Sequence, residues 1–94
     1  MYFVYILQCS DNSYYTGVTR NVEKRVYEHQ EGLIKSSYTH SRRSVKLVYT
    51  EGSSKSLDAI EREKQIKGWS RKKKEALISG NFSNLEKLSK RKKK

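Results

Sequence analysis

Three segments of the chain contain side chains that could act together on a phosphate. Tyr5 lies in the run FVYIL and Tyr15 in the run YYTGV. Arg25 and His29 lie one helical turn apart in the run NVEKRVYEH. Tyrosine and histidine can transfer protons, and an arginine guanidinium binds phosphate through a fork of donors. With the carboxylate of Glu63 further along, these residues form a set that can cleave a phosphodiester bond.

Glu63 has an unusual position for a carboxylate. It follows Ala59 by four residues and precedes Ile66 by three, so it points toward the apolar side of a predicted helix. Burying an unpaired carboxylate there is costly, so Glu63 must be paired, bound to a metal ion or placed at the rim of a cleft. The interpretation without catalysis is a structural ion pair with Arg25 or Arg62.

The other candidates also have structural interpretations. Arg25 could be an arginine at the helix edge whose aliphatic stem packs against the sheet. His29 could be a core histidine with a hydrogen-bond partner. The tyrosines could be present because tyrosine favours strands.

The predicted hairpin decides whether Tyr5 and Tyr15 can act together. A two-residue turn at Asp11-Asn12 would put them on opposite faces of the sheet, whereas a loop of odd length, such as Asp11 to Ser13, would put them on the same face. Gly17 removes a side chain beside Tyr15, which allows close approach of backbone or ligand.

The chain is strongly basic. It has 94 residues, with 21 Lys and Arg against 10 Asp and Glu, so its formal net charge is +11. A small domain with this charge repels itself unless it meets a polyanion. Nucleic acid is therefore the leading partner and an anionic membrane surface the second, while a merely soluble basic surface is the interpretation without a partner.

The sequence also restricts the compartment. No segment reaches the length of a membrane-spanning helix, and the N-terminus has no signal-peptide pattern. Cys9 is the single cysteine, which excludes a disulfide framework and a cysteine-based zinc site. We expect Cys9 to be a core residue and the protein to be cytoplasmic, with no membrane association.

Residue patterning predicts an α+β domain with the element order β-β-α-β-α-α. In this prediction a three-stranded antiparallel sheet, flanked by helices, fills residues 1–80, and a basic tail occupies residues 81–94. The predicted strands are Tyr2 to Cys9, Tyr14 to Thr19 and Val45 to Thr50. The predicted helices are Val22 to about Glu31, a second capped by Ser56, and a third capped by Ser70. Leu33 to Arg43 is predicted to be a loop, Gly52 to Ser54 a linker, and Ser83 to Leu88 a helical turn.

Taken together, these segments resemble the GIY-YIG endonuclease superfamily, specifically its small stand-alone bacterial members. Val4-Tyr5-Ile6 stands where the first motif lies, and Tyr15-Thr16-Gly17 stands for the second. Arg25 and His29 match the arginine and the helix position one turn on, and Glu63 matches the metal-binding glutamate. The resemblance covers Tyr2 to Ile78. The first motif lacks its glycine and the second has threonine for isoleucine, but neither change removes a catalytic side chain.

The resemblance implies a mechanism with one divalent ion, Mg²⁺ or Mn²⁺, for which Glu63 is the only protein ligand. Tyr5 would be the general base, with a pKa depressed by neighbouring cations, and Tyr15 would position the water or the phosphate. Arg25 would neutralise the developing charge. His29 would orient a tyrosine or relay a proton.

The function predicted from this resemblance is a metal-dependent endonuclease acting on nucleic acid, with DNA favoured over RNA. The alternative is a non-catalytic nucleic-acid-binding module with the same fold, and a basic protein unrelated to nucleic acid is a third possibility. The predicted nucleic-acid contacts are Arg42, Arg43, Lys46, Arg71, Lys72, Lys73 and Lys74.

Overall fold

The computed structural model describes residues 1–80 of the chain. Its strands are β1 (Tyr2–Gln8), β2 (Tyr14–Thr19) and β3 (Lys46–Ser53), and its helices are α1 (Val22–Gln30), α2 (Ser56–Lys67) and α3 (Arg71–Ser79). The predicted α+β fold and element order are confirmed. The helical turn predicted at Ser83 to Leu88 and the basic tail lie outside the described residues.

The sheet has the strand order β2-β1-β3, with both pairings antiparallel. The prediction of a linker at Gly52 to Ser54 is wrong for its first two residues. Gly52 and Ser53 belong to β3 because they pair with Phe3 and Tyr2 of β1. The edge strand β3 therefore extends along the whole of the central strand.

The two faces of β1 support two separate clusters of buried side chains. Val4 and Ile6 face α2 and α3, where they pack with Ala59, Ile66 and Leu77. Successive side chains of a strand point to opposite faces. The odd-numbered residues Tyr5 and Leu7 therefore face the other way, where Val26 of α1 and Tyr15 pack against their cluster. One face of the sheet is thus covered by α1 and the other by α2 and α3.

Local capping sets where the helices begin. The side chain of Asn21 accepts a hydrogen bond from the backbone N–H of Lys24, and Ser70 accepts one from Lys73, as N-caps do. The predicted cap at Ser56 is displaced by one residue, because α2 begins at Ser56 and Lys55 precedes it without a side-chain cap. Within residues 1–80, no helix is long and apolar enough to cross a membrane.

Candidate active site

Tyr5 and Tyr15 lie on the same face of the sheet. Residues 9–13 separate β1 from β2, an odd number, and the register pairs Tyr5 with Gly17 and Leu7 with Tyr15. The centroids of the two tyrosine rings are 6.2 Å apart. Of the two turns that the sequence left open, the structure has the one that brings the tyrosines together.

Helix α1 places His29 against both tyrosines. His29 is 1% exposed, the most deeply buried side chain of the helix. Its Nε2 lies 3.0 Å from the Tyr5 hydroxyl, and its ring centroid lies 5.0 Å from that of Tyr15. The histidine therefore links the helix to the central strand through a buried hydrogen bond.

The second nitrogen of His29 is held by the segment Leu33 to Arg43, which the sequence predicts to be a loop. Nδ1 lies 2.6 Å from Oγ1 of Thr39, which is 1% exposed, and Thr39 Oγ1 lies 3.0 Å from Ser37 Oγ. This segment also contains a short 3-10 helix, His40–Arg42. Sequence reasoning missed Thr39 and Ser37. The only signal was a run of hydroxyl side chains within a predicted loop.

The same segment contributes an aromatic side chain to the cluster. The Tyr38 ring stacks on Tyr15, with centroids 6.3 Å apart and an interplanar angle of 18°. The Arg42 guanidinium lies 3.9 Å over the Tyr38 ring, pairs with Asp11 at 3.1 Å and donates to the Tyr38 carbonyl at 2.8 Å. Arg42, predicted as a nucleic-acid contact, therefore also holds the stacked tyrosine in place.

Arg25 lies at the edge of this cluster and faces a cleft. It pairs with Glu28 on the same helix, with Nε 3.2 Å from the carboxylate. The cleft has a volume of about 460 Å³, and Arg25 and Glu28 line it from α1 while Ser56 and Ile60 line it from α2. The guanidinium is also close enough to Tyr5 to favour the charged form of its hydroxyl. Arg25 thus lies between the buried tyrosine and an open cleft.

The ionisation of Tyr5 differs from the prediction. Burial raises the pKa of its hydroxyl above the ordinary value, and the neighbouring Tyr15 raises it further, while Arg25 opposes both. The expectation of a depressed pKa is therefore wrong, because loss of solvent outweighs one nearby cation. Burial, followed by Arg25, lowers the pKa of His29, while Glu28 acts in the opposite direction. The buried hydrogen bond therefore joins a neutral phenol to a neutral imidazole.

Glu63 lies on α2, which packs against the opposite face of the sheet from α1. Its side chain is 18% exposed and pairs with Lys67 at 2.8 Å. Arg25 and Arg62, the partners expected from a structural role, pair instead with Glu28 and Glu51. Within residues 1–80, no hydrogen bond or ion pair joins Glu63 to the tyrosine–histidine cluster.

Glu63 lies on the same side of its helix as two residues that line the cleft, although it is not itself a lining residue. Ser56, Ile60 and Glu63 follow one another at spacings of four and three residues, so they share one side of α2. Ser56 and Ile60 line the cleft that Arg25 enters from the other side. The cleft therefore runs between the helix that carries Arg25 and the side of α2 on which Glu63 lies.

The residues available for a metal ion are few. No group of three or more His, Cys, Asp or Glu residues that could hold a metal occurs in the described part of the chain. A single carboxylate fits an ion such as Mg²⁺, which keeps several waters and takes its other ligands from a substrate phosphate. It does not fit a metal held wholly by protein ligands.

The remaining predicted nucleic-acid contacts differ in how far other residues of the described range 1–80 engage their side chains. Arg71 pairs with Glu75 at 3.0 Å, donates to the Asn12 carbonyl at 2.6 Å and lies over the Tyr14 ring. Lys73 lies 4.3 Å over the ring of Trp69. The others are a half-buried Lys74, whose pKa is lowered by burial and by Arg71, and the exposed side chains of Arg43, Lys46 and Lys72.

The fold and the buried cluster belong to one small domain that a known protein family shares. A family model described as the GIY-YIG catalytic domain matches residues 1–76. The chain therefore belongs to the GIY-YIG family, whose domain is of the nuclease type, and the resemblance noted in the sequence is confirmed.

Relatives cover almost the whole domain. The chain is 49% identical over 79 residues to a UPF0213 protein of Syntrophus aciditrophicus, which covers 84% of this chain and 91% of that protein. It is 46% identical over 78 residues to one from the archaeon Natronomonas pharaonis, covering 83% and 91%. It is also similar to the solution NMR structure of a UPF0213 protein from Bacillus halodurans, with a TM-score of 0.55 and 40% identity over 95% of this chain and 98% of that one. These names state no activity.

Proposed function

We propose that this protein is a metal-dependent endonuclease that hydrolyses a phosphodiester bond of nucleic acid, with DNA favoured over RNA. The observation that carries the proposal is the buried cluster of Tyr5, Tyr15 and His29, with Arg25 between it and an open cleft. Its place in a chain matched over residues 1–76 by a nuclease-type domain supports a catalytic interpretation over a purely structural one.

The two tyrosines take different roles in this proposal. Tyr5 has no exposed surface and its hydroxyl is hydrogen-bonded to His29, so water cannot reach that hydroxyl in this arrangement. Tyr15 is partly exposed and lies against both Tyr5 and His29. We therefore assign the contact with the attacking water to Tyr15 and the positioning of that residue to Tyr5. This reverses the roles that the sequence resemblance suggested.

Arg25 binds the phosphate in this scheme. Its guanidinium is partly exposed in the cleft, where a phosphate oxygen can replace the Glu28 carboxylate as its partner. Water adds to phosphorus and gives up one proton, the bond from phosphorus to the leaving oxygen breaks, and that oxygen takes up one proton, so the proton count is unchanged. Arg25 stabilises the negative charge that gathers on the phosphate oxygens as this happens.

Glu63 would hold the divalent ion, either Mg²⁺ or Mn²⁺. When bound, such an ion stabilises the negative charge on the leaving oxygen. The substrate phosphate must reach both sides of the cleft, because Arg25 lies on α1 and Glu63 on α2. The Lys67 ammonium, which now pairs with Glu63, must give up that carboxylate.

The alternative is a nucleic-acid-binding module that does not cut. The ion pair between Glu63 and Lys67 favours it, because a neutralised carboxylate is a poorer metal ligand. The two candidates share the basic surface and differ only in the role of Glu63.

A direct assay separates them. The full chain is incubated with branched, single-stranded and duplex DNA and RNA, each with Mg²⁺, with Mn²⁺ and with a chelator. The endonuclease proposal requires cleavage that depends on the ion and disappears in Glu63→Gln. Binding of the same substrates without cleavage under any of these conditions would favour the alternative.

A further inference from the structure

We propose that Thr39 is a positioning residue of the site: its hydroxyl fixes the His29 ring with the proton on Nδ1, so that Nε2 accepts the Tyr5 hydroxyl. Its link to cleavage rests on the proposed function, but its effect on His29 does not. Neither the family match nor the sequence pattern identifies this residue.

The geometry places the Tyr5 hydroxyl at one nitrogen of the ring and the Thr39 hydroxyl at the other, with Ser37 Oγ as a second, longer contact 3.5 Å from Nδ1. The Tyr5 hydroxyl lies 3.0 Å from Nε2, and Thr39 Oγ1 lies 2.6 Å from Nδ1. A neutral imidazole has one N–H donor and one acceptor nitrogen. The two contacts are therefore coupled, because fixing the proton at one nitrogen decides what the other can accept.

The buried tyrosine decides which tautomer is more stable. Tyr5 has no exposed surface, and its hydrogen-bond partner within residues 1–80 is His29. If Nε2 carried the proton, the Tyr5 O–H would lose the acceptor that lies 3.0 Å away, and a buried donor left unsatisfied costs about 1–3 kcal/mol. Nε2 must therefore accept, and the Nδ1–H donates to Thr39 Oγ1.

Ser37 completes the chain. Its Oγ lies 3.0 Å from Thr39 Oγ1 and also accepts the backbone N–H of Thr39 at 3.2 Å. Once Thr39 Oγ1 accepts from His29, its own proton is free to go to Ser37 Oγ. The hydrogen bonds then run in one direction from Tyr5 through His29 and Thr39 to Ser37, an arrangement in which each bond strengthens the next.

Thr39 also connects the ring to the rest of the site. It is the buried side chain of residues 33–43, and its neighbour Tyr38 stacks on Tyr15. The contact that orients His29 therefore also sets the position of the segment that packs on the more exposed tyrosine. Thr39 therefore orients His29 and positions the segment that carries Tyr38, whereas a residue that only fills the core would do neither.

The test uses the full chain labelled with ¹⁵N, where long-range proton–nitrogen spectra report which ring nitrogen of a histidine is protonated. We expect His29 to be the Nδ1–H form in the wild type and in Thr39→Ser. Thr39→Val keeps the shape but removes the acceptor, so the Nε2–H form should become populated. His40 serves as the internal reference. Cleavage should fall about 10- to 100-fold in Thr39→Val, the loss typical of removing such a supporting hydrogen bond, and recover in Thr39→Ser.

Two results would overturn the proposal: an Nε2–H form in the wild type, or a Thr39→Val protein with an unchanged tautomer. If Thr39→Val does not fold, Ser37→Ala provides a milder change. It removes the acceptor of the Thr39 proton, which should then turn to Nδ1 and populate the Nε2–H form, and no change there would also count against the proposal. A wild type that cuts no substrate would defeat the endonuclease proposal, while the spectra would still decide the role of Thr39.

Discussion

The hydroxyl of Tyr5 lies directly over Gly17 of the neighbouring strand. A β-carbon at Gly17 would be 2.5 Å from the Tyr5 oxygen and 2.6 Å from the ring carbon that carries it. Gly17, the third residue of the motif Tyr15-Thr16-Gly17, therefore leaves room for the tyrosine of the first motif. The two motifs therefore meet in a single contact, in which the Tyr5 ring packs on the backbone of Gly17.

Gly17→Ala should displace Tyr5 and damage the site. The added methyl group forces the buried phenol away from its position, which we expect to cost about 1–3 kcal/mol in the free energy of unfolding and to break the bond to His29. Urea unfolding and cleavage assays measure both effects. Gly68→Ala is the matched control, because a β-carbon there would come no closer than 3.6 Å to its neighbours. If Gly17→Ala and Gly68→Ala had the same stability and the same cleavage activity, the close contact between Gly17 and Tyr5 would not be what the site requires.

Tyr5→Phe should abolish cutting while leaving nucleic-acid binding intact. The ring still fills the core, but the hydroxyl that holds His29 is lost, so we expect cleavage to fall at least about 100-fold. Fluorescence anisotropy should give an unchanged Kd. Tyr27→Phe removes a hydroxyl from an exposed ring on the same domain and should behave like the wild type. Full activity in Tyr5→Phe would exclude a role for this hydroxyl.

Glu63→Gln should end metal-dependent cleavage with little effect on stability. The amide keeps the shape but lacks the charge that a divalent ion needs. The ion pair with Lys67 is an i,i+4 pair whose lysine is half exposed, so its loss should cost no more than about 1 kcal/mol. Glu61→Gln, on an exposed position of the same helix, is the control. If Glu63→Gln unfolds the protein instead, Glu63 is a structural residue and its assignment as metal ligand fails.

The buried histidine should make stability depend on pH. The folded-state pKa of His29 lies below the ordinary value of 6.5, so below about pH 6.5 the unfolded chain binds its proton more readily than the folded one. The free energy of unfolding should therefore fall as the pH drops from about 6.5 toward the folded pKa, by at most about 1.4 kcal/mol per pH unit from this residue. Above that range His29 contributes no pH dependence.

Urea unfolding of the wild type and His29→Gln between about pH 7.5 and pH 5 isolates this effect. The pH-dependent difference between the two proteins belongs to His29 and to the groups around it, namely Tyr5, Tyr15, Arg25 and Glu28. If the free energy of unfolding changes with pH in the same way in the wild type and in His29→Gln, the histidine is not the source of the pH dependence.

Binding should depend strongly on salt. If about five phosphates are contacted, log K for duplex DNA should fall with log[salt] at a slope of roughly −4 to −5. Lys72→Gln should reduce the size of that slope by about 1, because this side chain is exposed and in the proposed contact set. Lys64→Gln removes an equal charge from a helix position outside that set. A slope near zero would exclude a phosphate-driven complex, and deletion of Lys90 to Lys94 tests whether the tail adds to it.

Much of the fold follows from local signals. The residue patterning of β1, the cap at Ser70, and the one-turn spacing of Arg25 and His29 are properties of short segments, and the structure agrees with the predictions made from them. The ends of strands were less predictable where hydrogen bonding to a neighbouring strand mattered more than residue composition. Gly52 and Ser53 read as a linker, yet the central strand provides them with hydrogen-bond partners.

The site needed information that no short segment contains. Nothing in the residues 33–43 indicates that Thr39 is buried, because its partner His29 lies ten positions away on another element. The pKa of Tyr5 was predicted in the wrong direction for the same reason: a nearby cation can be inferred from a motif, whereas complete burial follows only from packing.

The sequence by itself determined the family and the order of elements, because motifs and local periodicity are written in consecutive residues. The tertiary structure alone decided that the two tyrosines share a face, that Tyr5 is buried against His29, and that Arg25 lines a cleft between α1 and α2. Those relationships depend on strand register, on burial and on how helices pack on a sheet, and each of these is a sum over contacts between residues distant in the chain.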